Sequence, residues 1–139
     1  MNLAQQIERE EGRSGSAYAD SLGFWTIGVG RLIDARKGGI LSNDEIDYLL
    51  ANDIKAKTDE VRAALPWFDN LNEPRQAVLI GMAFQLGTQG LLGFTQTLAA
   101  IRDEHFEHAA QLMLDSKWAR QTVLRAHRMA QQTSTGEWQ

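Results

Sequence analysis

Hydrophobic positions change period along this chain, and each change marks an element. Over the first twelve residues Leu3, Ala4 and Ile7 form a narrow apolar arc at 100° per residue, with Gln5, Gln6 and Arg9 outside it. Asn2 is placed to cap this helix and Gly12 to stop it. Glu11, four residues after Ile7, falls inside the arc, so the last turn aims a carboxylate toward the body of the protein. From Tyr18 to Leu32 the period shortens to two. Phe24, Thr26, Gly28 and Gly30 share one face, and Trp25, Ile27 and Val29 the other. Asp20 to Gly23, "DSLG", reads as a turn with Gly23 at positive φ, bringing Asp20 close to Thr26 at its base. The glycines leave one side of the backbone bare, which suits the close approach of another group.

Helical spacing resumes at Ser42, which forms a capping box with Glu45. Ile46, Leu49, Leu50, Ile54, Val61 and Leu65 then carry an apolar stripe until Pro66. Such a helix is about 35 Å long at 1.5 Å per residue, enough to join two lobes. Asn72 caps the next helix, Pro74 occupies its first turn and Gly87 closes it. Residues Ala77 to Ala83 are apolar nearly all round, which predicts a central position among helices. Further helices are expected over Phe94–Ile101, over Asp103–Leu114 with Asp103 as cap, and from about Val123 to Gln132. The fold class is therefore α+β, mainly α, in a single domain of residues 1–139. A small β-hairpin lobe (about 13–50) and a helical lobe (about 1–12 and 51–139) are joined by the long helix.

Composition narrows the chemistry. With 139 residues, 43% of them hydrophobic, and two prolines, the chain can bury a core of its own. The net charge of −4 argues against nucleic acid as the main partner. Cysteine is absent, which removes disulfides and thiolate metal sites. The opening "MNLAQQIEREEG" lacks the apolar core of a signal peptide or anchor, so synthesis in the cytoplasm without stable membrane association is expected. Two carboxylates flanking a scissile bond are the minimal apparatus for glycoside hydrolysis. Glu11 and Asp20 are candidates, with Thr26 as a hydroxyl able to hold water. By spacing alone, two acidic residues nine apart are more often solvated surface charges.

The set of motifs is more specific than any pair. The order E-G, A-Y-x-D and G-F-W-T-I-G-V-G, followed by "LSNDE", "AFQLG", "GFTQTL", "SKWARQT", "RAHR" and "TGEW", resembles the phage-type lysozymes (muramidases) over essentially the whole chain. That resemblance implies a two-lobe lysozyme-like fold with Glu11 as general acid, Asp20 as second carboxylate and Thr26 positioning the attacking water. It implies that Leu32, Phe84 and Thr97 contact sugar and that Arg125 pairs with the glutamate. The implied substrate is peptidoglycan, cut at the β-1,4 bond between N-acetylmuramic acid and N-acetylglucosamine. Inversion is implied too, with carboxyl groups about 6.5–9.5 Å apart. The expected protein is a monomeric endolysin that needs no cofactor and accumulates in the host cytoplasm until a holin releases it to the wall.

Other readings of the same residues are a lytic transglycosylase, or a wall-binding or scaffold protein that has lost turnover. Phe84 on an apolar helix would ordinarily be core, and Trp25, Trp67, Trp118 and Trp138 packing residues. His105 and His108, three apart, lack a third ligand, so no metal is expected. Four features depart from the family pattern. "SGS" after Arg13 reads as a loose linker, and Arg31 stands where some relatives have histidine. Val123 and Leu124 replace a proline and a polar residue, and Leu112 a polar substrate contact.

Overall fold

The computed structural model describes residues 2–139; Met1 and the Leu3 side chain of the proposed apolar arc lie outside the described residues. Asn2 forms a capping box with Gln5 and opens helix α1 (Leu3–Glu11). Gly12 ends it in a left-handed conformation, φ 76°, its N–H donating to the Glu8 carbonyl. Three antiparallel strands follow: β1 (Ser14–Ala19), β2 (Trp25–Gly28) and β3 (Arg31–Leu32), in the order β1-β2-β3. The "SGS" segment is therefore strand and not linker. Pairing of Ser14 with Gly28 fixes it at the far end, and the Ser14 hydroxyl bonds to Ser16 within it. The ladder is irregular between Ser14 and Tyr18, so the serines keep a strand without a strict period.

The turn Asp20–Gly23 forms as expected, with Gly23 at φ 84° and its N–H on the Asp20 carbonyl. A single 3₁₀ turn, Ala35–Lys37, then leads to α2 (Asn43–Ala64). Ser42 and Glu45 form both bonds of the expected box, at 3.1 and 3.2 Å. Contacts divide the chain into two compact units, residues 1–48 and 49–139, with the boundary inside α2.

The second unit is helical throughout. It holds most of α2, a 3₁₀ turn at Phe68–Asn70, then α3 (Glu73–Leu92), α4 (Thr95–Arg102), α5 (Phe106–Leu114), α6 (Lys117–Gln121) and α7 (Val123–Thr135). Asn72 caps α3 and Pro74 lies in its first turn. Gly87 kinks α3 instead of ending it, φ 77° and ψ 160°, and helix resumes to Leu92. Asp103 does not open α5; it closes α4, Glu104 takes φ 62°, and α5 starts at Phe106. The short α6 has no sequence signature beyond the Ser116 cap, whose hydroxyl accepts from Ala119 N–H.

Val61, Leu65, Phe68, Val78, Leu79, Met82, Leu91, Leu98, Ile101, Met113 and Trp118 are all buried in this unit. Helix α7 packs against α3, α5 and α6, with Ala126 and Ala130 allowing close approach. Trp118 stands edge-on to Phe94 at 6.0 Å, and its indole N–H donates to Gln85 Oε1. Arg75 of α3 ties down the other end of α7. Its guanidinium donates to the carbonyls of Thr133 and Ser134 and lies 3.6 Å over the Phe106 ring.

Candidate active site

The first unit carries Glu11, Asp20, Thr26 and Leu32. Glu11 is the last residue of α1, and its side chain reaches Gly30 in the two-residue turn, Val29–Gly30, that joins β2 to β3. Asp20 opens the β1–β2 turn. Its Oδ1 accepts from Leu22 N–H at 2.9 Å and Phe24 N–H at 2.8 Å, which fixes the carboxylate plane and leaves Oδ2 as the less committed oxygen. Thr26 lies in the central strand, paired with Tyr18 on one side and Leu32 on the other. Its neighbour across the turn is therefore Tyr18, while Asp20 sits beyond the next pair, Ala19 with Trp25. Thr26 is 5% exposed, and its hydroxyl donates to the Phe24 carbonyl at 3.2 Å. With the hydrogen used there, the hydroxyl oxygen keeps lone pairs able to accept from a donor such as water.

A third carboxylate, not singled out from sequence, holds this arrangement. Asp34 is 5% exposed and accepts from Trp25 N–H, Arg36 N–H and the Arg36 guanidinium. Arg36 foremost, then those backbone donors, keep its carboxyl well below the usual carboxylate range despite its burial. Arg36 also reaches the Gly23 carbonyl and, with Lys37, lies over the Phe24 ring. The turn that bears Asp20 is thus fastened from the "DARK" segment. Its only sequence signal was an Asp two residues before an Arg, a pairing too common to read. Arg31, in the histidine position of some relatives, pairs with Glu45 at 2.6 Å and donates to the Ile40 carbonyl.

Phe84, Thr97 and Arg125 belong to the second unit. Phe84 is 49% exposed on α3, not core, and borders a recess formed with Asp53, Lys57 and Glu60 of α2. Thr97 is buried in α4 and lines a small hollow of about 240 Å³ with Thr95, Gln96, Leu112 and Asp115. Arg125 is exposed on α7, at the edge of a larger groove of about 670 Å³ lined by Leu50, Ile54, Ile80, Phe84 and Met129. Among the described residues no three His, Asp or Glu side chains converge as a metal ion requires.

The model of the phage lysozyme family matches residues 8–131, a span that takes in every one of these positions. The chain is 25% identical to a probable T4-type lysozyme of Dictyostelium discoideum, over 97% of this chain and 95% of that protein. It is 27% identical to the pre-baseplate central spike protein Gp5 of Enterobacteria phage T4, over 98% of this chain but 28% of that protein. It is 30% identical to the peptidoglycan hydrolase gp36 of Pseudomonas phage phiKMV, over 91% of this chain and 14% of that protein.

Proposed function

The chain belongs to the phage lysozyme family, and from that premise we propose that it hydrolyses peptidoglycan at the β-1,4 bond between N-acetylmuramic acid and N-acetylglucosamine. The observation that carries the reading is one compact unit holding two carboxylates on separately anchored elements. Glu11 ends a capped helix, Asp20 sits in a hydrogen-bonded turn, and the central strand that leaves this turn carries the buried Thr26 hydroxyl. In this reading protonated Glu11 donates to the leaving glycosidic oxygen. Water held by Asp20 Oδ2 and Thr26 Oγ1 attacks the sugar carbon from the opposite side as the glycosidic bond breaks, and Asp20 takes the water's proton and stabilises the positive charge that develops there. Attack from that side inverts the configuration. Leu32, Phe84 and Thr97 are the proposed saccharide contacts and Arg125 the orienting partner of Glu11. The role is that of an endolysin. It waits in the host cytoplasm and reaches the wall once a separate membrane-permeabilising protein opens the way.

Digestion of purified peptidoglycan by the parent and by Glu11→Gln, followed by mass spectrometry, tests this. Reducing-end muropeptides from the parent, with a loss of about 10²-fold or more in the variant, are expected. Anhydro ends would instead identify a transglycosylase. A parent without products would remove the proposed activity.

A further inference from the structure

Among the described residues seven glycines adopt positive φ, and two of them, Gly28 and Gly30, stand on either side of Val29. Gly28 has φ +70° and Gly30 φ +69°, so both hold a φ that side chains rarely adopt. Their surroundings differ. A β-carbon at Gly28 would meet nothing within 4 Å. A β-carbon at Gly30 would lie 2.9 Å from Glu11 Oε2 and 3.2 Å from both Cδ and Cγ of Glu11. The carboxyl of Glu11 occupies the space that any side chain at position 30 would take. The alternation of bare backbone seen in the sequence anticipates a close approach, and the group that approaches is the chain's own glutamate.

We infer that Gly30 is a positioning residue for Glu11, its bare α-carbon forming the seat on which the carboxyl rests. The inference builds on the proposed role of Glu11 as acid. The helix end cannot yield to a side chain at position 30, because Gly12 N–H bonds to the Glu8 carbonyl at 2.8 Å and fixes the backbone next to Glu11. The atoms that would collide are the far end of a flexible side chain, so the fold survives and the carboxyl swings off its seat. Displacement of a reacting group by about 1 Å costs about 10²-fold in rate. Stability and turnover therefore separate at this position.

Four variants of the full chain test it: Gly30→Ala, Gly30→Asn, Gly28→Ala and Gly28→Asn. Asparagine tolerates left-handed backbone better than alanine, so it carries the added β-carbon with less strain. Thermal midpoints are expected to fall equally at the two positions, and less for asparagine. On soluble peptidoglycan fragments, kcat falls about 10²-fold in both Gly30 variants with KM within about twofold of the parent. The Gly28 variants keep kcat within a few-fold of the parent. A nuclear Overhauser contact between the Glu11 γ-protons and the α-proton of residue 30 is present in the parent and in Gly28→Asn, and lost in Gly30→Asn. Parental kcat in Gly30→Asn, or an equal loss in Gly28→Asn, would overturn the inference. If the parent cleaves no glycan, the proposed function fails, and the nuclear Overhauser contact alone decides whether Gly30 seats Glu11.

Discussion

The two units of this protein are held together by different means. Every buried hydrophobic side chain among the described residues lies in the second unit, from Val61 to Ala130. In the first unit the buried residues are Thr26 and Asp34, both polar and both hydrogen-bonded to backbone. A helical assembly excludes water with apolar area and gains stability in proportion to it. A three-stranded sheet of short strands has too little apolar area for that. It depends instead on specific bonds from Asp34, Arg36, Asp20 and Arg31 to neighbouring backbone and carboxylates. The proposed chemistry sits in the unit built from directional bonds, which set geometry more sharply than apolar contact does.

The largest effect that probes this contrast is Phe68→Ala. Phe68 is fully buried with Arg62 over its ring, and truncation costs about 3–5 kcal/mol in urea unfolding. Hydrogen exchange of the variant sharpens the comparison: protection falls across α3 to α7 while the sheet keeps its own level. Equal loss in both units would break the distinction and make the chain one cooperative body. Arg75→Ala comes next, costing about 2–3 kcal/mol through two charge-assisted bonds and the Phe106 contact. Its exchange signature is confined at first to the last turn of α7.

Asp34→Asn removes a charge from the first unit and should act in the opposite place. Faster exchange at Trp25 and Arg36 N–H, with the helical unit unchanged, is the expected result; no change at Trp25 would refute the role given to Asp34. The smallest effect is the acid dependence of Glu45. Arg31 foremost, and then Ser42, lower its carboxyl from an ordinary 4.5 to about 2. The folded-state value is depressed, so its stabilisation is present above about 4.5 and is lost as pH falls toward about 2. Its side chain is 38% exposed, which screens the pair. Acid titration of the thermal midpoint should flatten slightly over that window in Glu45→Gln.

Elements with local causes were legible in the sequence. Helix α1 shows both its caps, the Asp20 turn its glycine, and α2 its box, because each signal lies within four residues of its effect. What escaped was set by partners distant in sequence. Ser14–Ala19 is a strand because β2 pairs with it, not because its small residues alternate. The start of α5 was misplaced because Asp103 serves the helix before it. Within the site, the residue pattern offers Glu11, Asp20 and Thr26 as candidates and the chain resemblance gives them roles, whereas Asp34 needs contacts nine residues away to be visible. The fit of Glu11 on Gly30 joins positions nineteen apart, which no periodicity reports.

The uneven burial of tryptophan has a spectroscopic consequence. Trp118, enclosed beside Phe94 and bonded to Gln85, is an emitter shielded from water, whereas Trp25 in the sheet is 52% exposed and Trp138 is 61% exposed. Iodide quenches the last two readily in the native state and leaves Trp118 bright. A red shift on denaturation is therefore dominated by the helical unit, and loosening of the sheet passes almost unseen. Emission alone makes this protein look sturdier than the part of it that bears the two carboxylates.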